Sequence, residues 1–258
     1  MSPPDLSEVT GAGSPVPAVL RAVRVLDFIS HTKGPVTISE IARGTDLAKS
    51  SVSNLMRTLE TAGMVRPMSR GWTLGYRVLE LGQSVLSTTD LISEFRRLVS
   101  MLPTLREETV LIGALDGVDV LYLARHNGNQ PVRLATDIGR RLPAVVTSLG
   151  KAMLASMPED EMDARLAQVT QMPHLTNRSH RTMDDLRADL ATIRTIGYAV
   201  DDQQNTAGIT CFGVALPRVR QPTAVSTTLI SSRVTPELRE RLTADLRKLA
   251  AQLSGNAA

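Results

Sequence analysis

The order of short segments between residues 17 and 74 is the strongest constraint on the fold. Apolar residues recur every three or four positions in three successive segments, which predicts three helices. The predicted helices are 17–31, 37–42 and 49–62. In the third of them, Val52, Leu55 and Leu59 share one face, so the segment is predicted to pack by that face and to expose the other.

Turn signals separate these helices and lead into two short strands. Gly44-Thr45-Asp46 predicts a tight turn before the third helix, and Gly63 predicts its C-terminal cap. Segments 64–66 and 71–74 then read as strands on either side of a turn at 67–70. A helix, a short helix, a turn, a longer helix and a hairpin together predict a winged helix-turn-helix.

The outer face of the third helix is short, polar and basic. Serine and asparagine reach base edges in the major groove without steric bulk, and asparagine can pair with adenine through two hydrogen bonds. Arginines of the hairpin can hold the phosphate backbone or enter a minor groove. The predicted DNA-binding residues are Lys49, Ser50, Ser51, Ser53, Asn54, Arg57, Arg66 and Arg70. The alternative is a helical hairpin that only packs against another subunit.

Charge supports a nucleic-acid partner locally and not globally. The net charge of the chain is only +3. Between Arg43 and Arg77, however, six basic residues stand against the two acids Asp46 and Glu60, which is the local excess that phosphates require. An ordinary basic surface would show the same excess.

Length and composition indicate a globular protein with two domains. The chain has 258 residues, of which 42% are hydrophobic and 21% charged. Residues 1–16, rich in Pro, Gly and Ser, predict a disordered leader and lack the pattern of a signal peptide. No apolar run is long enough to span a membrane. A single cysteine, Cys211, fits a reducing compartment, so we expect a cytoplasmic protein.

Several segments of the N-terminal part carry a resemblance to a known family. The run 20–28, the segment Thr37-Ile38-Ser39-Glu40-Ile41-Ala42 and the segment 47–55 resemble the DNA-binding half of the IclR family of bacterial transcription regulators. Trp72-Thr73-Leu74-Gly75, followed by Leu79, Leu81 and Gly82, resembles the wing exit and linker helix of that family. The proline usual at the start of the recognition helix is Ala48 here, so some pre-organisation of the first turn is lost.

The second part of the chain predicts an α+β domain. A helical pattern runs over 76–102 with a break at 88–90, and Pro103 predicts a kink or an early stop near Leu102. Asp116-Gly117 predicts a hairpin, and strands and helices then follow in groups. The predicted strands are 110–115, 118–123, 132–135, 198–200, 209–216 and 223–230. Helices are predicted to begin at Ser148, Pro158, Thr182 and Thr235.

The similarity to the IclR family extends over about residues 18–255 and implies a domain plan. Residues 17–76 correspond to the winged helix-turn-helix, 77–102 to the linker helix and 103–258 to a GAF-like effector-binding domain. The family's Thr-Gly-Glu-Thr is Arg106-Glu107-Glu108-Thr109 here.

Motifs for catalysis are weak. Ser148-Leu149-Gly150-Lys151 lacks the upstream glycine of a phosphate loop. The candidate metal ligands His126, His174, His180 and Cys211 lack the spacing of a metal site. Asp201 and Asp202 are strand neighbours that face opposite ways and cannot share a site. We therefore predict no enzyme, no metal and no cofactor.

An effector pocket is the better interpretation of the second domain. An extended segment opens into a helix at Ser148, so its free N–H groups favour a carboxylate. The resemblance implies that the pocket-lining positions are Leu134, Leu142, Ser148, Leu149, Asp201, Cys211, Thr227 and Leu229. A second serine of the family is Leu229 here and an acidic residue is Gln204, which makes the pocket less polar and less acidic. We expect a small organic acid with an apolar portion, such as an aromatic or branched metabolite acid.

These features predict a sequence-specific DNA-binding transcription regulator whose DNA binding is modulated by a small organic acid. Double-stranded DNA with a near-palindromic operator, the effector and a second copy of the chain, in a dimer or tetramer, are the expected partners. The linker helix offers Val78, Leu81 and Val85 as the apolar face for that pairing. The alternative is a small-molecule-binding or thiol-reactive enzyme that carries a helix-turn-helix as an interaction module.

Overall fold

The computed structural model describes residues 16–87, 91–129 and 138–255, with the side chains of 83–87 excepted. The chain divides into two compact units between residues 88 and 89. The predicted break at 88–90 and the predicted strand 132–135 lie outside the described residues.

The first unit is a winged helix-turn-helix with the predicted order of elements. Its elements are α1 (Pro17–His31), α2 (Ile38–Thr45), α3 (Lys49–Thr61), β1 (Val65–Met68), β2 (Gly71–Leu74) and α4 (Tyr76–Ser87). One small core holds the helices and the hairpin together. It consists of Val25, Ile29, Val36, Ile41, Val52, Met56, Leu59 and Val65.

Helix α2 is fixed at its start by a capping box and ends later than the sequence predicts. The Thr37 hydroxyl accepts from the Glu40 N–H, and the Glu40 carboxylate accepts from the Thr37 N–H at 2.8 Å. Gly44 lies inside α2, and Asp46 caps it in the left-handed conformation, with φ of 54°. The predicted turn at Gly44 is therefore wrong. A Cβ at Gly44 would lie 2.0 Å from the Phe28 ring, so this glycine allows close packing.

The buried stripe of α3 differs by one residue from the predicted one. Val52, Met56 and Leu59 are buried, whereas Leu55 is only partly buried. Spacings of four and three describe one helix face as well as the predicted three and four. Gly63 lies just beyond α3 with φ of 71°, in agreement with the predicted C-terminal cap.

A backbone bridge joins the wing to the segment that precedes α2. Val36 and Trp72 exchange two hydrogen bonds, of 2.9 and 2.8 Å. This bridge joins the hairpin β1–β2 to the start of α2, so the wing has a fixed position relative to the helix-turn-helix.

The second unit is an α+β domain built on one antiparallel sheet of six described strands, in the order β5-β4-β3-β8-β7-β6. The strands are β3 (Thr109–Asp116), β4 (Asp119–His126), β5 (Arg141–Pro143), β6 (Ala199–Asp202), β7 (Ile209–Ala215) and β8 (Thr223–Ile230). The helices are α5 (Leu91–Met101), α6 (Ser148–Ser156), α7 (Glu159–Leu166), α8 (Met183–Ile196) and α9 (Pro236–Gly255).

Each face of this sheet has its own core. Helices α6, α7 and α8 pack on one face with Leu111, Tyr122 and Leu142. Helices α5 and α9 pack on the other with Val225 and Leu229. The alternation of side chains along each strand assigns neighbouring residues to different cores.

The predicted stop before Pro103 is confirmed, since α5 ends at Met101. A short 3-10 turn, Leu105–Glu107, follows and leads into Glu108. Both carboxylate oxygens of the buried Glu108 accept from Arg233, at 2.7 and 2.9 Å. This paired geometry compensates for burying the charge.

Candidate nucleic-acid interface and ligand cavity

The outward face of α3 presents most of the predicted DNA-binding residues together. Lys49, Ser50, Asn54 and Arg57 are exposed, and Ser51 and Ser53 are half-buried. Burial of Val52, Met56 and Leu59 on the opposite side fixes this orientation. The face therefore carries short hydrogen-bonding groups flanked by cations, which suits a major groove.

The start of α3 is open. Its N-cap residue is Ala48, which makes no side-chain cap, and the first turn contains no acid. Free N–H groups at a helix start and the positive end of the helix dipole favour an anion such as a phosphate. Lys49 and Ser50 stand at this end.

The two wing arginines are placed differently. Arg70 is exposed in the turn between β1 and β2, at the tip of the hairpin. Arg66 is half-buried, and its guanidinium lies 4.6 Å from the centre of the Tyr76 ring. A cation on an aromatic face is stabilised there, so Arg66 is held at the base of the wing and Arg70 is the more accessible of the two.

In the second unit a cavity of about 40 Å³ lies between the sheet and the start of α6. Three of the predicted pocket residues line it, namely Ser148, Asp201 and Cys211. The other described residues of its wall are Leu111, Tyr122, Thr147, Asn205, Thr206, Ile209, Ser226 and Thr228.

The start of α6 supplies hydrogen-bond donors to this wall. Thr147, and not Ser148 as predicted, is the N-cap, because its hydroxyl accepts from the Gly150 N–H at 3.1 Å. Ser148 is thus the first residue of the helix. Within the described part of the chain, the N–H groups of Ser148 and Leu149 have no hydrogen-bond partner.

Three hydroxyls of the cavity wall are also free. Tyr122, Ser148 and Ser226 are buried, and none of their hydroxyls bonds to another described residue. Buried polar groups are nearly always satisfied, so unpartnered donors around a cavity point to a polar guest. Leu111 and Ile209 give the same cavity an apolar side.

Four predicted residues lie elsewhere and one is not described. Thr227 and Leu229 do not line this cavity, because they pair with Phe212 and Thr210 on the alternate register and point away from its wall, which uses Ser226 and Thr228. The side chains of Leu142 and Leu149 belong to the core beneath α6–α8. Leu134 lies outside the described residues.

The sequence reasoning missed Tyr122, Ser226, Thr228 and Lys151. For Tyr122, Ser226 and Thr228 the signal was the alternation of side chains along a strand, because residues two apart lie on the same face. Lys151 is fully buried one turn after Ser148, and a lysine within an otherwise apolar helix was the signal for it.

Asp201 is the acid of the cavity. Its Oδ1 accepts from the N–H of Gln204 at 2.7 Å and of Asn205 at 3.2 Å. Burial raises the pKa of Asp201 to about 6, although these two N–H groups and Lys151 act in the other direction. Asp202, its neighbour, is exposed on the opposite side of β6, as strand alternation requires.

The Cys211 thiol is protonated. Loss of contact with bulk water, followed by the nearby Asp201 carboxylate, raises the pKa of Cys211 above its ordinary value. Its Sγ donates to the Thr228 hydroxyl at 3.5 Å. Because a thiolate is the nucleophile, this environment disfavours the thiol-reactive alternative.

Two absences hold for residues 16–87, 91–129 and 138–255. No three His, Cys, Asp or Glu side chains come together as metal ligands there. No helix in those ranges combines the length and apolar character that crossing a membrane requires.

Comparison with known proteins agrees with this architecture. The family model described as "IclR helix-turn-helix domain" matches residues 18–68, and "Bacterial transcriptional regulator IclR C-terminal" matches residues 83–255. The HTH-type transcriptional regulator XynR of Escherichia coli K12 is 29% identical over 225 residues, which cover 85% of this chain and 88% of XynR.

Solved structures give the same result. A putative transcriptional regulator from Rhodococcus sp. RHA1 superimposes with a TM-score of 0.81 at 30% identity, over 94% of this chain and 98% of that one. An IclR homologue from Microbacterium hydrocarbonoxydans, solved with 4-hydroxybenzoate, shares the fold with a TM-score of 0.79 at 22% identity, over 93% and 98% of the two chains. This chain belongs to the IclR family of bacterial transcriptional regulators.

Proposed function

We propose that the protein is a homo-oligomeric transcription regulator that recognises a near-palindromic DNA site through α3 and responds to a small organic acid in the cavity. The free hydroxyls and N–H groups around the cavity are the observation that carries the effector part. Family membership and the polar, basic face of α3 support the DNA-binding part.

The donors of the cavity favour a carboxylate at the start of α6. The N–H groups of Ser148 and Leu149 and the Tyr122 hydroxyl donate without requiring a cation. A carboxylate beside the ionised Asp201 would be repelled, so Asp201 is better matched to a hydroxyl or amine at the other end of the ligand.

Size restricts the ligand further. At about 40 Å³ the cavity is small, so it favours a compact acid. An aromatic acid of the predicted kind would fit it more tightly than a two- or three-carbon hydroxy acid.

DNA recognition requires two copies. One helix-turn-helix contacts only a few base pairs, which is too little information to specify a site in a genome. Within the described part of α4, Tyr76 and Leu79 are large exposed apolar residues one turn apart on the same face, through which a second copy can pair.

Gel shift and thermal-shift experiments test the proposal. The purified chain is eluted from heparin with salt and then assayed on DNA flanking its own gene against random DNA. Thermal shift with glycolate, larger hydroxy acids and 4-hydroxybenzoate then tests the cavity. Equal affinity for all DNA sequences would refute the DNA-binding part, and the absence of stabilisation by any acid would refute the effector part.

A further inference from the structure

Lys151 is a fully buried cation whose three N–H donors all have acceptors. Its Nζ donates to Asp189 Oδ2 at 2.6 Å, to the Val200 carbonyl at 2.5 Å and to Gln204 Oε1 at 2.6 Å. A buried charge persists when it is paired and fully hydrogen-bonded. The position of Lys151 is therefore fixed by three groups that come from different parts of the chain.

Only one of these acceptors balances the charge. Asp189, on α8, also accepts from His180 Nε2 at 2.9 Å. Although burial opposes it, the His180 hydrogen bond and the Lys151 cation lower the pKa of Asp189. The carboxylate is thus ionised and neutralises Lys151. The bonds to Val200 and Gln204 are not needed for that balance.

Those two bonds instead hold the segment that carries Asp201. Val200 immediately precedes Asp201, and Gln204 lies in the bend that follows β6. The N–H of Gln204 donates to Asp201 Oδ1, while its side chain accepts from Lys151. Lys151 therefore bonds on both sides of Asp201 along the chain.

The same lysine is rigidly connected to the opposite wall of the cavity. It lies three residues after Ser148 on α6, so the two share a helix face. Ser148 and Asp201 both line the cavity. Lys151 therefore links the helix that carries the donors to the segment that carries Asp201.

We propose that Lys151 is a positioning residue of the effector cavity, which holds the Asp201 carboxylate at a fixed place relative to the start of α6. It touches no ligand itself and acts through the Val200 and Gln204 bonds. The role of Lys151 in effector binding rests on the proposed function. Its positioning of Asp201 does not, because that is measured in the protein without ligand.

Electrostatics gives the proposal a second readout. The groups that face Asp201 are Lys151 of α6, Asp202 of β6, Cys211 of β7 and Tyr122 of β4. Lys151 is the cation among them and lowers the pKa of Asp201. Its removal raises the pH at which Asp201 titrates, a change that loss of packing elsewhere would not produce.

The test compares Lys151→Met with Arg194→Met in the full chain. Arg194, on α8, is also a cation that bonds α6, but at its far end, where it donates to the carbonyls of Ala155 and Met157. Both variants remove hydrogen bonds between α8 and the α6 region. Only Lys151→Met also removes the bonds to the segment that carries Asp201. Hydrogen exchange of the Gln204 and Asn205 amides and the carboxyl NMR titration of Asp201 are measured without ligand.

In Lys151→Met we expect exchange of these two amides to accelerate about tenfold or more, as for a local opening. We also expect the Asp201 titration to move to higher pH. Arg194→Met should change neither. Unchanged exchange and titration in a folded Lys151→Met protein would overturn the proposal. If that variant does not fold, Gln204→Met, which removes one Lys151 bond but keeps the cation and the main-chain N–H, is measured by amide exchange alone, and unchanged exchange of Asn205 and residue 204 would overturn the proposal.

Ligand binding is then measured with glycolate and 4-hydroxybenzoate. The probe that stabilises the wild type should bind Lys151→Met roughly tenfold to a hundredfold more weakly, the range found for partners that orient a binding group, and Arg194→Met normally. Equal affinity for both variants would overturn the role in effector binding. If neither probe binds the wild type, the effector proposal fails, and exchange and titration still decide whether Lys151 positions Asp201.

Discussion

Arg57 Nη2 donates to Asn54 Oδ1 at 2.7 Å, one turn away on the exposed face of α3. The bond orients the carboxamide before any DNA is bound and leaves its NH₂ group available to a base. Pre-orientation lowers the entropy lost on binding, so we expect the two side chains to act together if α3 contacts base edges as proposed.

Replacing Asn54 and Arg70 separates base recognition from backbone contact. Asn54→Ala should weaken binding to the best site by about 1–3 kcal/mol and change binding to random DNA little, because base contacts carry sequence information. Arg70→Ala should weaken binding to all sequences alike and reduce the slope of log K against log salt by about one. Gel shifts at several salt concentrations measure both effects. If the two variants behave identically, the assignment of α3 and the wing is wrong.

The apolar face of α4 predicts that the protein is at least a dimer in solution. Leu79 is 59% exposed and lies one turn from the exposed Tyr76, so the two form an apolar patch on α4. Leu79→Glu should place a charge in the interface and shift light scattering toward the monomer, with weaker binding to a palindromic site. Glu80→Gln, at an exposed polar position beside it, is the control and should assemble normally. A wild type that is monomeric at micromolar concentration, with and without DNA, would contradict this.

Ser148 separates a main-chain donor from a side-chain donor. Proline is favoured at the first position of a helix, and Thr147 already has the extended φ and ψ of −111° and 145° that a following proline requires. Ser148→Pro removes both the N–H and the hydroxyl, whereas Ser148→Ala removes the hydroxyl alone. Thermal shift with an acid that stabilises the wild type should decrease in the order wild type, Ser148→Ala, Ser148→Pro. Equal stabilisation of all three would exclude this wall as the carboxylate site.

Asp201 predicts a specific dependence of stability on pH. Its pKa is about 6 in the folded chain against an ordinary 3.8, so at this group the folded state binds more protons between these values. The contribution of Asp201 to stability therefore falls as pH rises through that window and levels off above it. Asp201→Asn keeps an acceptor for the two N–H groups and cannot ionise. In urea unfolding, the free energy of unfolding of Asp201→Asn relative to that of the wild type should increase from pH 4 to pH 7, by on the order of 3 kcal/mol. A constant difference would contradict the raised pKa.

Local signals in the sequence predicted most of the winged helix-turn-helix. The Thr37–Glu40 capping box and Gly63 act within a few residues of the helix ends that they define, so they are readable without a structure. Gly44 was misread because its small size serves the Phe28 ring of another helix. Packing of that kind has no local signature.

The cavity was predicted less accurately for a related reason. Ser148, Asp201 and Cys211 were placed on it, but Thr227 and Leu229 were assigned in place of their neighbours Ser226 and Thr228. A one-residue error on a strand exchanges one face of the sheet for the other. The Lys151 interactions join residues up to 53 positions apart, which no sequence spacing reveals.

Strand β6 has features that disfavour the pairing of further strands with this edge of the sheet. Among the described strands it pairs with β7 alone, so it forms an edge, and free edges recruit strands from other molecules into aggregates. It has four residues, the exposed Asp202 pairs there with Arg178, and the Val200 carbonyl is already occupied by Lys151. A short, charged edge with an occupied acceptor is a poor template for strand addition. Loss of Lys151 is thus expected to make the protein more prone to aggregate during expression as well.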